Sequence, residues 1–226
     1  MMEHIIEQAS SYAADIDEVI LIITILGGFW LLLAEFVLFY LIVRFRASKN
    51  PKGQYLTGDS KTEKRWIIWP HNIVILCDLI IIFFAVRVWY NVKQSLPEPQ
   101  ETVRIVGQQW AWQFTHPGPD GKLGSGQDIT VMDELHVKVG KVYHFKLESQ
   151  DVLHSFSVPV FRLKQDAVPG RVITGWFKPT KEGVFDIQCA EMCGIGHGIM
   201  AGRIHIQSEA EYEKWTAANR KDKVSS

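Results

Sequence analysis

Between residues 189 and 200 the sequence reads Cys189-Ala-Glu-Met-Cys193-Gly-Ile-Gly-His197-Gly-Ile-Met200. Two thiols, an imidazole and two thioethers share a stretch softened by Gly194, Gly196 and Gly198. Thiolate, imidazole and thioether donors together favour copper over hard cations, and the glycines let backbone fold tightly around an ion. A mononuclear site with two histidines, one cysteine and an axial methionine is not what this segment offers: it has one thiolate too many and one histidine too few. His154, in Asp151-Val-Leu-His154-Ser-Phe, opens a predicted strand and is the best candidate for the second imidazole. Three other readings stand beside copper. Cys189 and Cys193 could form a disulfide in an oxidising compartment. The Cys-x3-Cys spacing could hold zinc, although methionine is a poor zinc ligand and structural zinc sites use cysteine pairs in twos. The histidines and methionines could also be plain packing. His4, His71, His116, His136, His144 and His205 lack such company in the sequence and read as packed or solvent-facing.

Elements that could position this segment follow from residue 100 onward. Short runs rich in Val, Ile, Thr, Phe and Trp recur between turn signals: 102–106, 110–115, 128–132, 135–139, 142–147, 155–160, 172–177, 184–187 and 202–207. Regularly spaced short strands predict an all-β sandwich or small barrel. Ser208-Glu-Ala-Glu211 reads as a capping box opening a short helix to about Asn219. The tail 220–226 is polar. Leu96-Pro97-Glu98-Pro99 reads as the linker that precedes the β domain.

Upstream, two stretches are of another kind. Val19–Val43 carries one charge, Glu35, and Trp66–Tyr90 carries Asp78 and Arg87. About 20 apolar residues cross a bilayer core, so both are predicted membrane spans, giving a helical hairpin over 19–95, an external segment 1–18 and an external domain 96–226. Residues 1–18 hold five acidic residues and no lysine or arginine, unlike the basic start of a cleaved signal. The connecting loop, 44–65, carries seven basic residues against Asp59 and Glu63. Basic loops stay cytoplasmic, which puts both termini and the β domain on the periplasmic side of a bacterial inner (plasma) membrane. Charge buried in a two-helix hairpin calls for a multi-helix partner. Across the 226 residues 24 basic side chains balance 25 acidic ones, which argues against nucleic acid as a partner, and three cysteines are too few for a disulfide scaffold.

Taken together, the chain resembles subunit II of the haem–copper cytochrome c oxidases, over nearly its whole length. The resemblance rests on the Cys/His/Met segment, Gly107-Gln-Gln-Trp110-Ala-Trp112, Asp151-Val-Leu-His154-Ser, Leu163-Lys-Gln-Asp166-Ala-Val-Pro169-Gly-Arg171 and Glu63-Lys-Arg-Trp66-Ile-Ile-Trp-Pro70. It implies an α+β membrane protein: a transmembrane hairpin, a cupredoxin (Greek-key sandwich) domain and a short C-terminal helix. It implies a binuclear copper centre, CuA, in which Cys189 and Cys193 bridge two copper ions. His154 and His197 each cap one copper, with Met200 a weak ligand on one side and the Glu191 backbone carbonyl on the other. The Glu191 side chain would reach a magnesium ion at the boundary with subunit I. Trp110 matches the place where electrons arrive from cytochrome c, Asp151 matches an acidic docking position, and Asp133 and Glu134 are looser candidates for one. Glu63 resembles the mouth of a proton path, its alternative being one more charge in a solvated loop.

The implied function is a subunit of a proton-pumping cytochrome c oxidase. Electrons pass from cytochrome c, or a similar donor, to the haem–copper centre of subunit I, where O₂ becomes water. Haem belongs only to that partner, since no Cys-x-x-Cys-His occurs here, and the chain is not active alone. Ala111, His116 and Ile67 depart from the family's usual aromatic, aromatic and threonine. A quinol-oxidase subunit lacks the copper ligands retained here. A nitric oxide reductase with the same module is separable only by its substrate, and a tethered copper chaperone needs exposed, exchangeable ligands.

Overall fold

The computed structural model describes residues 6–49, 52–53 and 56–219, so His4 and the tail 220–226 lie outside the described residues. The chain divides into two compact units, Met1–Ile16 with Tyr90–Ser226, and Asp17–Trp89.

The second unit holds most of α1 (Ala13–Arg44), whose first turn belongs to the first unit, and all of α2 (Lys61–Trp89), which runs on as a π-helical turn, Tyr90–Gln94, counted with the first unit. Both helices are longer than the expected spans. Sequence reading ended the spans where charge begins, but helix persists into polar flanks when its ends are satisfied. At the start of α2, Ser60 Oγ accepts the Glu63 N–H at 3.2 Å and the Glu63 carboxylate accepts the Ser60 N–H at 3.3 Å, a reciprocal cap. No described residue of α2 is buried, and Leu32, Phe36, Phe39, Trp66 and Phe83 are exposed on the two helices. Apolar faces of this extent need hydrocarbon or another protein.

The other unit is a sandwich of two five-stranded sheets, β3-β2-β1-β5-β8 and β4-β10-β9-β6-β7. The strands are β1 (Glu101–Gln108), β2 (Ala111–His116), β3 (Ile129–Met132), β4 (Glu134–Lys138), β5 (Tyr143–Ser149), β6 (His154–Val158), β7 (Leu163–Ala167), β8 (Ile173–Phe177), β9 (Gly183–Cys189) and β10 (Ala201–Gln207), followed by α3 (Glu209–Ala218). Alternation sets the faces: Tyr143, Phe145 and Leu147 are fully buried while His144 and Lys146 are only half-buried. Between the sheets Phe156 meets Trp112, Phe114 and Phe145 at ring separations of 5.6, 6.3 and 6.0 Å.

Three features depart from the sequence reading. Leu163–Ala167 forms an edge strand against β6, although only its two ends are apolar. The expected strand 155–160 stops at Val158, because Pro159 opens a 3-10 turn and has no N–H for a ladder. Residues before α1 are part of the β unit: the Ala9 N–H donates to Val160 O at 2.9 Å, the Thr180 N–H donates to Ala9 O at 2.9 Å, and Tyr12 packs edge-on against Trp176 at 5.2 Å. The capping box of α3 forms at Ser208 and Glu211 as expected.

His116 closes β2 with its ring fully buried and neither nitrogen partnered. Burial, with His136 nearby, pushes it down to about 3. The unfolded chain, at the ordinary value near 6.5, binds a proton that the folded chain refuses, so this residue costs stability increasingly as pH falls from about 6.5 toward 3. Replacing His116 with Phe, which fills the same space without polar atoms, is expected to stabilise the β domain by about 1–3 kcal/mol at neutral pH. A further gain of about 2 kcal/mol is expected at pH 5. Thermal midpoints of the two chains at pH 7.5 and pH 5 measure both; an equal midpoint at each pH would refute the account.

Candidate metal centre

Three parts of the sandwich converge at one end. His154 begins β6, Cys189 ends β9, and the remaining donors lie in the connection from β9 to β10, whose 3-10 turn is His197–Ile199. Pairing of β6 with β9, Phe156 opposite Cys189, brings His154 beside the thiol. The connection is pinned at its base by the Cys189 N–H donating to Met200 O at 3.1 Å and the Ala190 N–H donating to Ser155 O at 2.9 Å.

Cys189 Sγ and Cys193 Sγ stand 3.7 Å apart as free thiols, far beyond a bond of about 2.05 Å, so the disulfide alternative is not realised. Around them, His154 Nδ1 lies 4.0 Å from Cys189 Sγ, His197 Nδ1 3.7 Å from Cys193 Sγ and Met200 Sδ 3.7 Å from Cys193 Sγ. The Glu191 backbone carbonyl oxygen is 3.2 Å from Cys189 Sγ. His154, Cys189, Cys193 and Met200 are buried. Metal–thiolate bonds of about 2.3 Å place two sulfurs sharing an ion at this kind of separation. Burial and the adjacent Cys189 thiol push the Cys193 thiol up to about 11. A Cys193 thiolate is therefore disfavoured without a cation beside it, and metal uptake through it must release its proton.

His154 is oriented from outside the donor set. Asp151 Oδ1 lies 2.8 Å from His154 Nε2, and Asp151 Oδ2 accepts the Gln109 N–H at 2.7 Å. A carboxylate holding the far nitrogen turns the near one, Nδ1, toward the sulfurs. Asp151, expected on a docking surface, thus has its carboxylate engaged inward, though the side chain keeps an exposed edge. Asp133 Oδ1 accepts the Trp112 N–H at 2.8 Å, which ties this loose docking candidate to the β2 edge.

Trp110 sits in the turn between β1 and β2, over the site. Its indole N–H donates to Cys193 O at 3.3 Å, beside Gln109 Nε2 donating to the same oxygen at 2.8 Å. The ring rests on Gly196: a Cβ there would lie 2.4 Å from Trp110 Cδ2, so only glycine permits this approach. In the loop beneath Trp110, exposed apolar side chains went unnoticed in the sequence. Met192, Ile195 and Ile199 are 73%, 97% and 80% exposed. Apolar side chains interrupting a glycine-rich metal loop were the available signal. Glu63, by contrast, lies in the second unit on the first turn of α2, engaged in its cap. It is a helix-start residue rather than a loop charge.

The family profile described as cytochrome C oxidase subunit II, periplasmic domain, matches residues 119–208. The alternative cytochrome c oxidase subunit 2 of Bradyrhizobium diazoefficiens is 32% identical over 222 residues, covering 88% of this chain and 78% of that protein. The cytochrome c oxidase subunit 2 of Cereibacter sphaeroides is 32% identical over 209 residues, covering 79% of this chain and 67% of its own. Among solved structures, the periplasmic domain of cytochrome oxidase subunit II of Bradyrhizobium japonicum superposes with a TM-score of 0.51 at 29% identity, over 57% of this chain and 99% of that one. With two apolar helices, a cupredoxin-like sandwich and a thiol-rich centre at its end, the chain belongs to the cytochrome c oxidase subunit II family and is part of an oxidoreductase complex.

Proposed function

We propose that this chain accepts electrons from cytochrome c, or a similar donor, and delivers them to the haem–copper centre of a proton-pumping oxidase that reduces O₂ to water. The observation that carries the reading is the buried donor set: two sulfurs 3.7 Å apart flanked by His154, His197, Met200 and the Glu191 carbonyl. Soft sulfur and imidazole donors suit copper, and paired thiolates suit two ions held between them. When bound, two copper ions sharing one electron supply one-electron acceptance and release with little change in geometry.

The protein's own part is to hold the donors and exclude water. The strand pairing of β6 with β9 fixes His154 and Cys189, Asp151 sets the His154 ring, and Trp110 covers Cys193 while touching solvent. Trp110 is the surface group where electrons arrive, and Asp151 adds negative charge that attracts a basic donor. The Glu191 side chain, half-buried at the rim, offers a hard carboxylate for a magnesium ion at the boundary with subunit I. Glu63 marks a proton path into that subunit. Contact of residues 9–12 with the β domain supports one side of the membrane for both, the periplasmic face of the inner membrane, with the basic 44–65 loop opposite. Burial of the donors argues against a chaperone that hands copper on.

Copper content and the EPR spectrum of the copper-loaded chain test the reading. Two coppers per chain sharing one unpaired electron, with a seven-line or unresolved equivalent pattern, are expected; a single copper with four lines would overturn it. The role of Trp110 is tested separately by Gly196→Ala, which must push the indole aside. Donor oxidation is expected to slow on the order of 10–100-fold with the copper spectrum unchanged, and an unchanged rate would remove Trp110 from the electron path.

A further inference from the structure

Two sets of His, Cys, Asp and Glu among the described residues bring their ligand atoms within 4.8 Å of one another: His154 with Cys189 and Cys193, and Glu134 with His136 and His205. The second set lies on the outward face of the same sheet that carries His154 and Cys189, under α3, and the copper chemistry makes no use of it. It was not visible in the sequence, where these histidines were read as unaccompanied. Parallel pairing of β4 with β10 puts His136 directly opposite His205. Glu134, two residues before His136 on the same strand, shares its face.

We infer that Glu134, His136 and His205 form a second metal site, for a borderline divalent cation such as zinc. Two imidazoles and a carboxylate are a zinc donor set that leaves a fourth position for water. The surroundings favour a ligand role. His136 is buried, its Nδ1 lies 3.1 Å from Gln207 Oε1, and its Nε2 has no hydrogen-bond partner while standing 3.5 Å from Glu134 Oε2. An amide oxygen accepting from Nδ1 sets the tautomer that leaves Nε2 with a free lone pair. His205 Nε2 is likewise without a partner. The nearby cations are engaged elsewhere, Arg203 with Asp186 and Lys138 with Glu101 and Glu209, so neither neutralises the Glu134 carboxylate.

His136 is stacked between His205, at 4.4 Å, and Trp215 of α3, at 4.1 Å. Donors of a tetrahedral zinc are about 3.4 Å apart, given bonds of about 2.0–2.1 Å. Binding therefore draws the ligand atoms together and turns the half-buried His205 ring out of its parallel stack, so that both lone pairs converge. The ion would tie β4 to β10 beneath the C-terminal helix.

The test is a zinc chloride titration of the full-length chain in detergent, its thiols first filled with copper, read by calorimetry and by metal analysis after desalting. One zinc per chain beyond the copper is expected. Glu134→Gln, at an exposed position, should weaken binding by at least about tenfold, and His205→Gln by about a hundredfold or more. Cobalt in place of zinc should give visible bands of a nitrogen–oxygen site without thiolate charge transfer. No additional zinc, binding that both variants leave unchanged, or cobalt spectra dominated by thiolate would each overturn the site. Because thiolate bands report the copper centre alone, a failure there is distinguishable from a failure here.

Discussion

Replacing Cys193 with serine is expected to reduce copper from two ions per chain to one or none, and to cut oxidation of the donor by more than about a hundredfold. Cys193 Sγ is the hub of the site: Cys189 Sγ, His197 Nδ1 and Met200 Sδ all lie 3.7 Å from it. A serine hydroxyl nearly matches the thiol in size but is hard and holds its proton, so it cannot bridge two soft ions. Whatever copper remains should give four EPR lines. Met200→Leu is the informative contrast. It removes a sulfur at the same distance from the same atom, yet a weak axial ligand tunes potential more than it holds the metal. Two coppers should persist there with an altered reduction potential. Equal loss in both variants would mean that the site fails through packing rather than through bridging, and would count against the binuclear reading.

Phe156→Ala is expected to destabilise the β domain by about 3–5 kcal/mol, lowering its thermal midpoint on the order of 10 °C. The ring is fully buried and meets aromatic side chains of the opposite sheet, Trp112 and Phe114 on β2 and Phe145 on β5. The surrounding strands are held in their ladders and cannot collapse into the space left behind. Phe156 also pairs with Cys189 in register, so loosening here reaches the donors. Copper that binds the folded arrangement more tightly than the unfolded chain stabilises parent and variant alike by mass action. Because the loosened donors of Phe156→Ala hold copper less tightly, the midpoint difference from the parent should widen on copper loading. A midpoint within 2 °C of the parent without metal would contradict the assignment of Phe156 as the core's centre.

How much of this was legible in the residues differs by element. The two apolar helices stand out because length and hydropathy are local properties, and the strands that bury alternate residues, such as β5, carry their face in their own sequence. Leu163–Ala167 carries no such mark, since its three middle residues are polar and only its two ends are buried. The thiol-rich segment was legible because its donors are neighbours along the chain, and His154 because it opens a strand near a turn. Asp151 was read by its charge, whereas its position is decided by a hydrogen bond to a ring three residues away. Glu134, His136 and His205 could not be grouped beforehand. Nothing in the sequence says that β4 lies parallel to β10 with those two histidines in register.

Ala9 is hydrogen-bonded to Val160 and Thr180, and that contact bears on how the protein is made. The β domain is discontinuous: its first backbone contacts come from residues translated before either long helix, and its strands come from residues translated after both. The helical hairpin is thus an insertion in a domain that emerges last. Those first residues must wait for partners more than a hundred residues downstream. The last steps of folding then join the segment before the first long helix to the sandwich completed after the second.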